Sequence, residues 1–380
     1  MKRRVIVILQ VDAEEERDRG ASECETPRES RRFPSSVKHP DANSPRPGNS
    51  AAYDTIMAMQ TRVLPHTDLT VSRACYGTMT FGKQSDQALS TRIVDQCLES
   101  GINFLDTANV YTAGVAETML GNALKGRRQR VVLASKVRFK VGDGPDDEGL
   151  SSAAMLKAID QSLTRLQTDY LDLYYLHAPD WKTPIEESLE TMDRLVRAGK
   201  VRYPAISNYA AWQVVEMHCL SQRHGYRAPH ISQPMYNLLA RGIEQEYQAM
   251  CARFGVATVV YNPLAGGLLT GKHQPDRPLP GTRFDANQLY LDRYWHPAYF
   301  EAVDQLKAIA ERAGRSLVDL SLNWVLHHTP TDCIIVGAST QEQLAQNVDA
   351  MGKGPLPRDA VEACDVVWNR LRGITPKYNR

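Results

Sequence analysis

The sequence predicts an α/β fold, a closed (β/α)8 barrel entered through an N-terminal β-hairpin and followed by extra C-terminal helices. Three observations predict it. Eight short apolar runs alternate with longer stretches of helical period. The runs are apolar almost throughout, as strands covered on both faces of a parallel sheet must be. Each also ends in polar residues, and the carboxyl ends of barrel strands are where such a fold gathers its reactive groups. A doubly wound open sheet has the same local pattern, but a dinucleotide-binding one should carry GxGxxG between its first strand and helix. This chain has none there. Its nearest glycine cluster, Gly142 to Gly144, lies in an acidic loop with Pro145 that would repel a pyrophosphate.

Taken in order, the elements begin late. Residues 1–58 hold ten basic and ten acidic side chains and five prolines, and between Asp12 and Ala52 the only large apolar residues are Phe33 and Val37. Such a stretch buries too little surface to offset its ordering entropy, so disorder is expected. A mis-assigned start codon is the companion expectation, because Met57 and Met59 sit where the composition changes. The opening MKRRVIVILQV is too short in its apolar run for a signal peptide and lacks a small-residue cleavage site. From residue 59 to 380 a single barrel domain is expected. RVLPHTDLTVSR reads as the hairpin, and ACYGTM, INFLD, RVVLASKV, YLDLYYLH, VRYPAIS, HISQPMYN, VATVVYNPL and DCIIVGA read as the eight strands. Helices are expected over DQALSTRIVDQCLES, AMLKAIDQSLTRL, IEESLETMDRLVRAG, WQVVEMHCLSQRHG and QEYQAMCARFG. Thr183, Pro184 and Glu186 suggest a capping box, and Gly199 and Gly255 suggest helix stops. Pro204 removes a strand donor, so an irregular ladder is expected around it.

Composition narrows the function. Lys and Arg number 45 against 44 Asp and Glu, a formal net charge of +1, which argues against a nucleic-acid-binding face or a polybasic membrane anchor. No apolar run approaches the ~18 residues of a membrane span. The seven cysteines are scattered with no CxxC pair, which suits a reducing compartment, the cytoplasm. A barrel hydrolase would need a metal cluster or paired acids at the strand ends, and the histidines, including His327 and His328, show no such spacing.

Four reactive residues fall where a barrel would bring them together. Asp106 ends INFLD, Tyr111 follows in DTANVY, Lys136 closes VVLASK and His177 closes YLDLYYLH. Singly, each has a structural explanation: a loop cap, a half-buried aromatic, a solvated strand end and a hydrogen-bonded core histidine. Their order along successive strand ends is what argues for chemistry.

With the strings FLDTANVY, LASKV and LDLYYLH around it, this quartet resembles the catalytic tetrad of the aldo-keto reductases. The resemblance runs from about residue 62 to the carboxyl end. It takes in ISN at Ile206 to Asn208, Gln233 in SQPMYN, and YNPLAGGLLTGK, which is most similar to the aflatoxin-aldehyde reductase branch. It implies an NAD(P)H-dependent reductase of aldehydes or ketones with Tyr111 as general acid, Lys136 lowering its effective pKa, Asp106 holding Lys136, and His177 orienting the carbonyl. The competing arrangement, a tyrosine with lysine four residues on, occurs nowhere in the chain.

The resemblance implies cofactor contacts as well. Ser207, Asn208 and Gln233 would meet the nicotinamide carboxamide, and Tyr261 would stack on the ring; a helix cap is the other reading of Ser207 and Asn208. Gly77, Thr78, Met79 and Asp106 would face the same ligand. In Asn262, Pro263, Leu264, Gly266, Gly267 and Leu268 the backbone would approach the pyrophosphate, with Lys272 pairing to phosphate. Gly337, Ser339, Gln343 and Asn347 belong to the helix expected at the adenosine end, opened by a Thr340–Gln343 capping box. No Arg or Lys occurs between Gly337 and Gly352, so NADH use stands beside NADPH, and Arg283 is the candidate for the missing charge. Met79, Trp181 and the segment Gly271–His296, with Tyr290, Arg293, Tyr294 and Trp295, would line the mouth as a mobile lid, with Arg380 reaching in. A small carbonyl compound is the expected partner, and a homodimer the expected assembly. The alternative function is a redox-sensing nicotinamide-binding subunit similar to potassium-channel β-subunits.

Overall fold

The computed structural model describes residues 59–285 and 287–374. The reading of residues 1–58 and of Arg380 lies outside them. The first two strands, β1 (Thr61–Val63) and β2 (Thr70–Ser72), pair antiparallel as the expected hairpin. Eight further strands close a parallel barrel: β3 (Ala74–Gly77), β4 (Phe104–Asp106), β5 (Val132–Val137), β6 (Leu171–Leu176), β7 (Val201–Ser207), β8 (Ile231–Gln233), β9 (Ala257–Val260) and β10 (Cys333–Val336), with β10 returning to β3. Each lies inside the run read for it.

Around the barrel stand α1 (Gln87–Glu99), α2 (Val115–Ala123), α3 (Ser152–Leu166), α4 (Ile185–Arg197), α5 (Ala211–His224) and α6 (Tyr247–Phe254). They are followed by α7 (Gln288–Tyr294), α8 (Pro297–Arg312), α9 (Leu317–His328), α10 (Gln341–Gly352) and α11 (Arg358–Arg372). Local signals explain several boundaries. Asp86 and Ser151 accept backbone N–H bonds at the starts of α1 and α3, and Gly255 ends α6 in a left-handed conformation, φ 63°. The capping box expected at Thr183 does not form. Pro184 occupies the cap position with no side-chain bond, and the Thr183 hydroxyl donates to Asp180 instead (2.8 Å). At α10, Thr340 caps the Gln343 N–H, but the Gln343 carbonyl turns to the N–H and hydroxyl of Ser339 rather than back to Thr340. The ladder is also regular at Pro204, which pairs with Tyr174 in unbroken register. On its other side β8 joins β7 only from Ile206 onward, so the missing N–H interrupts nothing there.

Two cores follow from the period-2 alternation of strand side chains. One lies between the sheet and the helices. The other fills the barrel with Cys75, Phe104, Ala134, Tyr175, Ala205, Ile231, Val259 and Cys333, one from each strand, over Leu64, Leu69 and Val71 of the hairpin. Two residues further along their strands, the inward positions become Gly77, Asp106, Lys136, His177, Ser207, Gln233 and Tyr261. The same alternation that packs the barrel therefore assembles its mouth.

Candidate active site

That mouth opens into a cavity of about 1620 Å³, larger than the ~300–1,000 Å³ of ordinary small-ligand pockets. Behind Asp106 and Tyr111, which line it, Lys136 is wholly buried and donates to Asp106, to the carbonyl of Thr107 (2.8 Å) and to the Tyr111 hydroxyl (3.3 Å). Asp106 also accepts from Gln233 Nε2 (2.9 Å). Tyr111 starts a short turn, Tyr111–Gly114, in which Thr112, Ala113 and Gly114 all have positive φ (49°, 50° and 91°). A β-branched residue pays for that conformation; Thr112 is held there by its hydroxyl bond to the Phe81 carbonyl (2.9 Å). The His177 ring stands edge-on to Tyr111 (centroids 6.1 Å) and to Phe139 (4.8 Å).

Burial governs the electrostatics. It pushes the Tyr111 pKa up, and the Lys136 ammonium opposes that without reversing it. Lys136 does lower the tyrosine, as expected, but desolvation outweighs the nearby charge and the net direction is upward. Burial also penalises the Lys136 ammonium, but Asp106 and Tyr111 more than compensate, and its pKa lies above the ordinary lysine value. His177 is held well below the ordinary histidine value by burial and by the charges of Lys136 and Arg138. It is neutral at physiological pH, and its Nδ1 is buried without a hydrogen-bond partner.

On the adjoining strand end, Asn208 (φ 65°) donates to the His177 carbonyl (2.9 Å) and to Ser207 Oγ (3.0 Å) and accepts from the Tyr261 hydroxyl (2.7 Å). Ser207 in turn donates to the Gln233 carbonyl (2.8 Å). Neither residue caps α5; its N-cap position is Ala210, whose own N–H donates to the Gln213 side-chain oxygen (2.9 Å). Every position expected to meet a cofactor lines the cavity except Thr78 and Leu268. Thr78 is fully buried behind the wall, donating to the Asp106 carbonyl, and Leu268 packs in the core.

The donor set fits a dinucleotide. Asn262 Nδ2 is buried on the cavity wall with no partner. Gly266 has φ 70°, and a Cβ there would come within 2.8 Å of the Tyr290 ring, so only glycine permits the close backbone. Lys272 and Arg283 line the same cavity. The Tyr290 ring lies beneath both Arg283 (5.4 Å) and Arg293 (5.6 Å) and sets two guanidinium groups at the rim.

Some expected mouth residues lie elsewhere. Trp181 is 77 % exposed and Trp295 faces inward on Phe284 and Phe300, donating to the Pro275 carbonyl; neither lines the cavity. Within the segment Gly271–His296, α7 buries Tyr290 and Tyr294, while most of the other described residues there are partly or fully exposed. The sequence reading missed Phe139, two residues past the end of β5, and Lys353, one residue beyond the cation-free window. Lys353 lines the cavity and pairs with Asp319 (2.9 Å) and Asp349 (3.2 Å). The Asp349–Lys353 spacing of four on one helix was the available signal.

A parallel barrel that sets a phenol, an ammonium, a carboxylate and a neutral imidazole at one mouth, beside a long cavity with cationic and amide donors, is the class of barrel equipped to move protons next to a bound anionic ligand. The aldo/keto reductase family model matches residues 73–369. Aflatoxin B1 aldehyde reductase member 2 of Rattus norvegicus is 37% identical over 322 residues, spanning 80% of this chain and 86% of its own. Aldo-keto reductase family 7 member A3 of Homo sapiens is 35% identical, spanning 80% and 96%. A probable voltage-gated potassium channel subunit beta of Oryza sativa subsp. japonica is 34% identical over 310 residues, spanning 78% and 93%. The chain belongs to the aldo/keto reductase family and is, as that family implies, an NAD(P)H-dependent oxidoreductase acting on small molecules. Among the described residues, no helix is long and apolar enough to cross a membrane.

Proposed function

We propose that the protein reduces aldehydes or ketones to alcohols, with Tyr111 as the proton donor and NADPH as the preferred reductant. The observation that carries this reading is the contact of the Tyr111 hydroxyl with the buried Lys136 Nζ (3.3 Å), Tyr111 lining the cavity together with Ser207, Asn208, Gln233 and Tyr261. A bound reduced nicotinamide supplies hydride to the carbonyl carbon. Tyr111, kept protonated by burial, gives its proton to the carbonyl oxygen. The phenolate that forms is stabilised by Lys136, which Asp106 keeps charged. Neutral His177 donates an N–H to the same oxygen and fixes its direction.

Ser207 and Asn208 would hold the carboxamide, as would the Gln233 carbonyl oxygen, since its amide nitrogen is engaged by Asp106. Tyr261 would support the ring, Asn262, Gly266, Gly267 and Lys272 the diphosphate, and Arg283 the 2′-phosphate. The cavity includes Gly337, Ser339, Gln343 and Asn347 at that end. Arg293 at the rim suits a substrate carrying a carboxylate. Tyr111→Phe tests the assignment: turnover should fall ~10²–10⁴-fold while the cofactor Kd, read by fluorescence, stays within about twofold. Near-normal kcat in that variant would remove Tyr111 from its role. The likeness to a channel β-subunit supports a second reading, a nicotinamide-binding regulatory subunit, which predicts tight cofactor binding without turnover of any aldehyde.

A further inference from the structure

Glu117 is a fully buried carboxylate on α2 that the proton-transfer chemistry does not use. Its Oε1 accepts from Ser135 Oγ (2.5 Å) and its Oε2 from Arg165 Nε (2.7 Å), so one side chain ties α2 to β5 and to α3. Both connections end next to the reacting groups. Ser135 precedes Lys136, and because strand neighbours face opposite ways, Ser135 points to the helices while Lys136 points into the barrel. Arg165 lies on the last residue of the strained turn that carries Tyr111: a Cβ on Gly114 would sit 2.8 Å from Arg165 Nε. The α2–α3 contact leaves little slack, since a Cβ on Gly121 would come within 2.5 Å of the Arg165 carbonyl.

These contacts close a ring. In front of the strand, Tyr111 meets Lys136. Behind it, Gly114 meets Arg165, Arg165 meets Glu117, and Glu117 meets Ser135. Of the three consecutive residues of positive φ, Thr112 and Ala113 lack glycine's freedom in that conformation and would relax if nothing held them.

We propose that Glu117 is a positioning residue: acting through Arg165 and Ser135, it holds the Tyr111 turn in register with the strand that carries Lys136. The proposal rests on the reading of Tyr111 as proton donor. In Glu117→Gln, kcat should fall ~10-fold to ~10²-fold, the range a misplacement of about 1 Å produces, with the cofactor Kd within about twofold. The alkaline limb of the reduction pH profile should move to higher pH, because a displaced Tyr111 loses the ammonium that favours its phenolate. A purely structural role would not move that limb.

Glu117→Gln leaves Arg165 without its counter-charge and can lower stability, so the double variant Glu117→Leu with Arg165→Met separates the effects. Replacing a buried pair by apolar residues restores stability but not the clamp. The double variant should therefore melt above Glu117→Gln yet keep the reduced kcat and the displaced limb. Recovery of kcat and limb along with the melting temperature would overturn the proposal, as would a wild-type pH profile in Glu117→Gln. A fully active Tyr111→Phe would instead defeat the underlying reading, whatever Glu117→Gln does.

Discussion

The two walls of the cavity are built on different principles. The wall of Asp106, Tyr111, Lys136 and His177 comes from strand ends and one adjoining turn, with Lys136 and Asp106 almost wholly removed from solvent. The wall of Lys272, Arg283, Arg293 and Lys353 comes from loops and helix ends, and its cations stay partly exposed even where one of them, Lys353, pairs with the buried Asp319 and the exposed Asp349. The buried wall can perturb a pKa because desolvation acts on every group in it. The loop wall can only attract, with interactions that water and salt weaken. In the proposed reading, chemistry belongs to the first and selectivity to the second.

Breaking the buried wall should therefore have the larger consequences. Lys136→Met removes the ammonium facing Tyr111 and leaves Asp106 without its partner. Turnover should fall by ~10² or more, and stability by ~3–5 kcal/mol as measured by denaturant unfolding. The sign of the pH dependence follows from the raised folded pKa of Lys136. Its stabilisation is complete below the unfolded lysine value of ~10.4 and is lost as pH rises through the folded value, so the variant should lack that alkaline edge. A variant with wild-type stability and edge would mean that the pair contributes nothing net.

The loop wall should respond in ratios rather than in rates. Arg283→Ala should lower the preference for NADPH over NADH about tenfold, the equivalent of one charge-assisted hydrogen bond of ~1.4 kcal/mol, while kcat with saturating cofactor holds. An unchanged Kd ratio would exclude Arg283 from the 2′-phosphate site. Smaller still, Arg293→Ala should raise KM a few-fold for aldehydes carrying a carboxylate and leave uncharged aldehydes alone, in keeping with ~1 kcal/mol for an exposed pair. Equal changes for both classes would show that Arg293 packs against Tyr290 without reading substrate.

The same division decided what could be read from the chain. Strand ends are legible because side chains alternate with period two: an apolar run that closes on Asp106, Lys136 or His177 announces both its direction and its register. All eight strands and the positions of Asp106, Lys136 and His177 were accessible that way; Tyr111, in the turn after β4, was singled out by the string DTANVY and the resemblance it carries. Loop-borne contacts were not, because a residue such as Trp295 has no periodicity to say which side it buries. Only the tertiary packing turns it toward Phe284 and Phe300 and away from the mouth. Glu117 escaped for a related reason. A carboxylate on an amphipathic helix looks solvated until Ser135 and Arg165, distant in sequence, are brought to its two oxygens. Gln233 was placed correctly at its strand end, but its tie to Asp106 exists only once β4 and β8 face each other across the barrel.

The most direct test is oxidation of NADPH by the wild-type protein over a panel of aromatic, dicarbonyl and carboxylated aldehydes, run beside a measurement of cofactor affinity. Aldehyde-dependent oxidation that saturates with substrate and is lost in Tyr111→Phe is the expected result. Tight cofactor binding with no oxidation for any aldehyde would contradict carbonyl reduction and favour the regulatory-subunit reading.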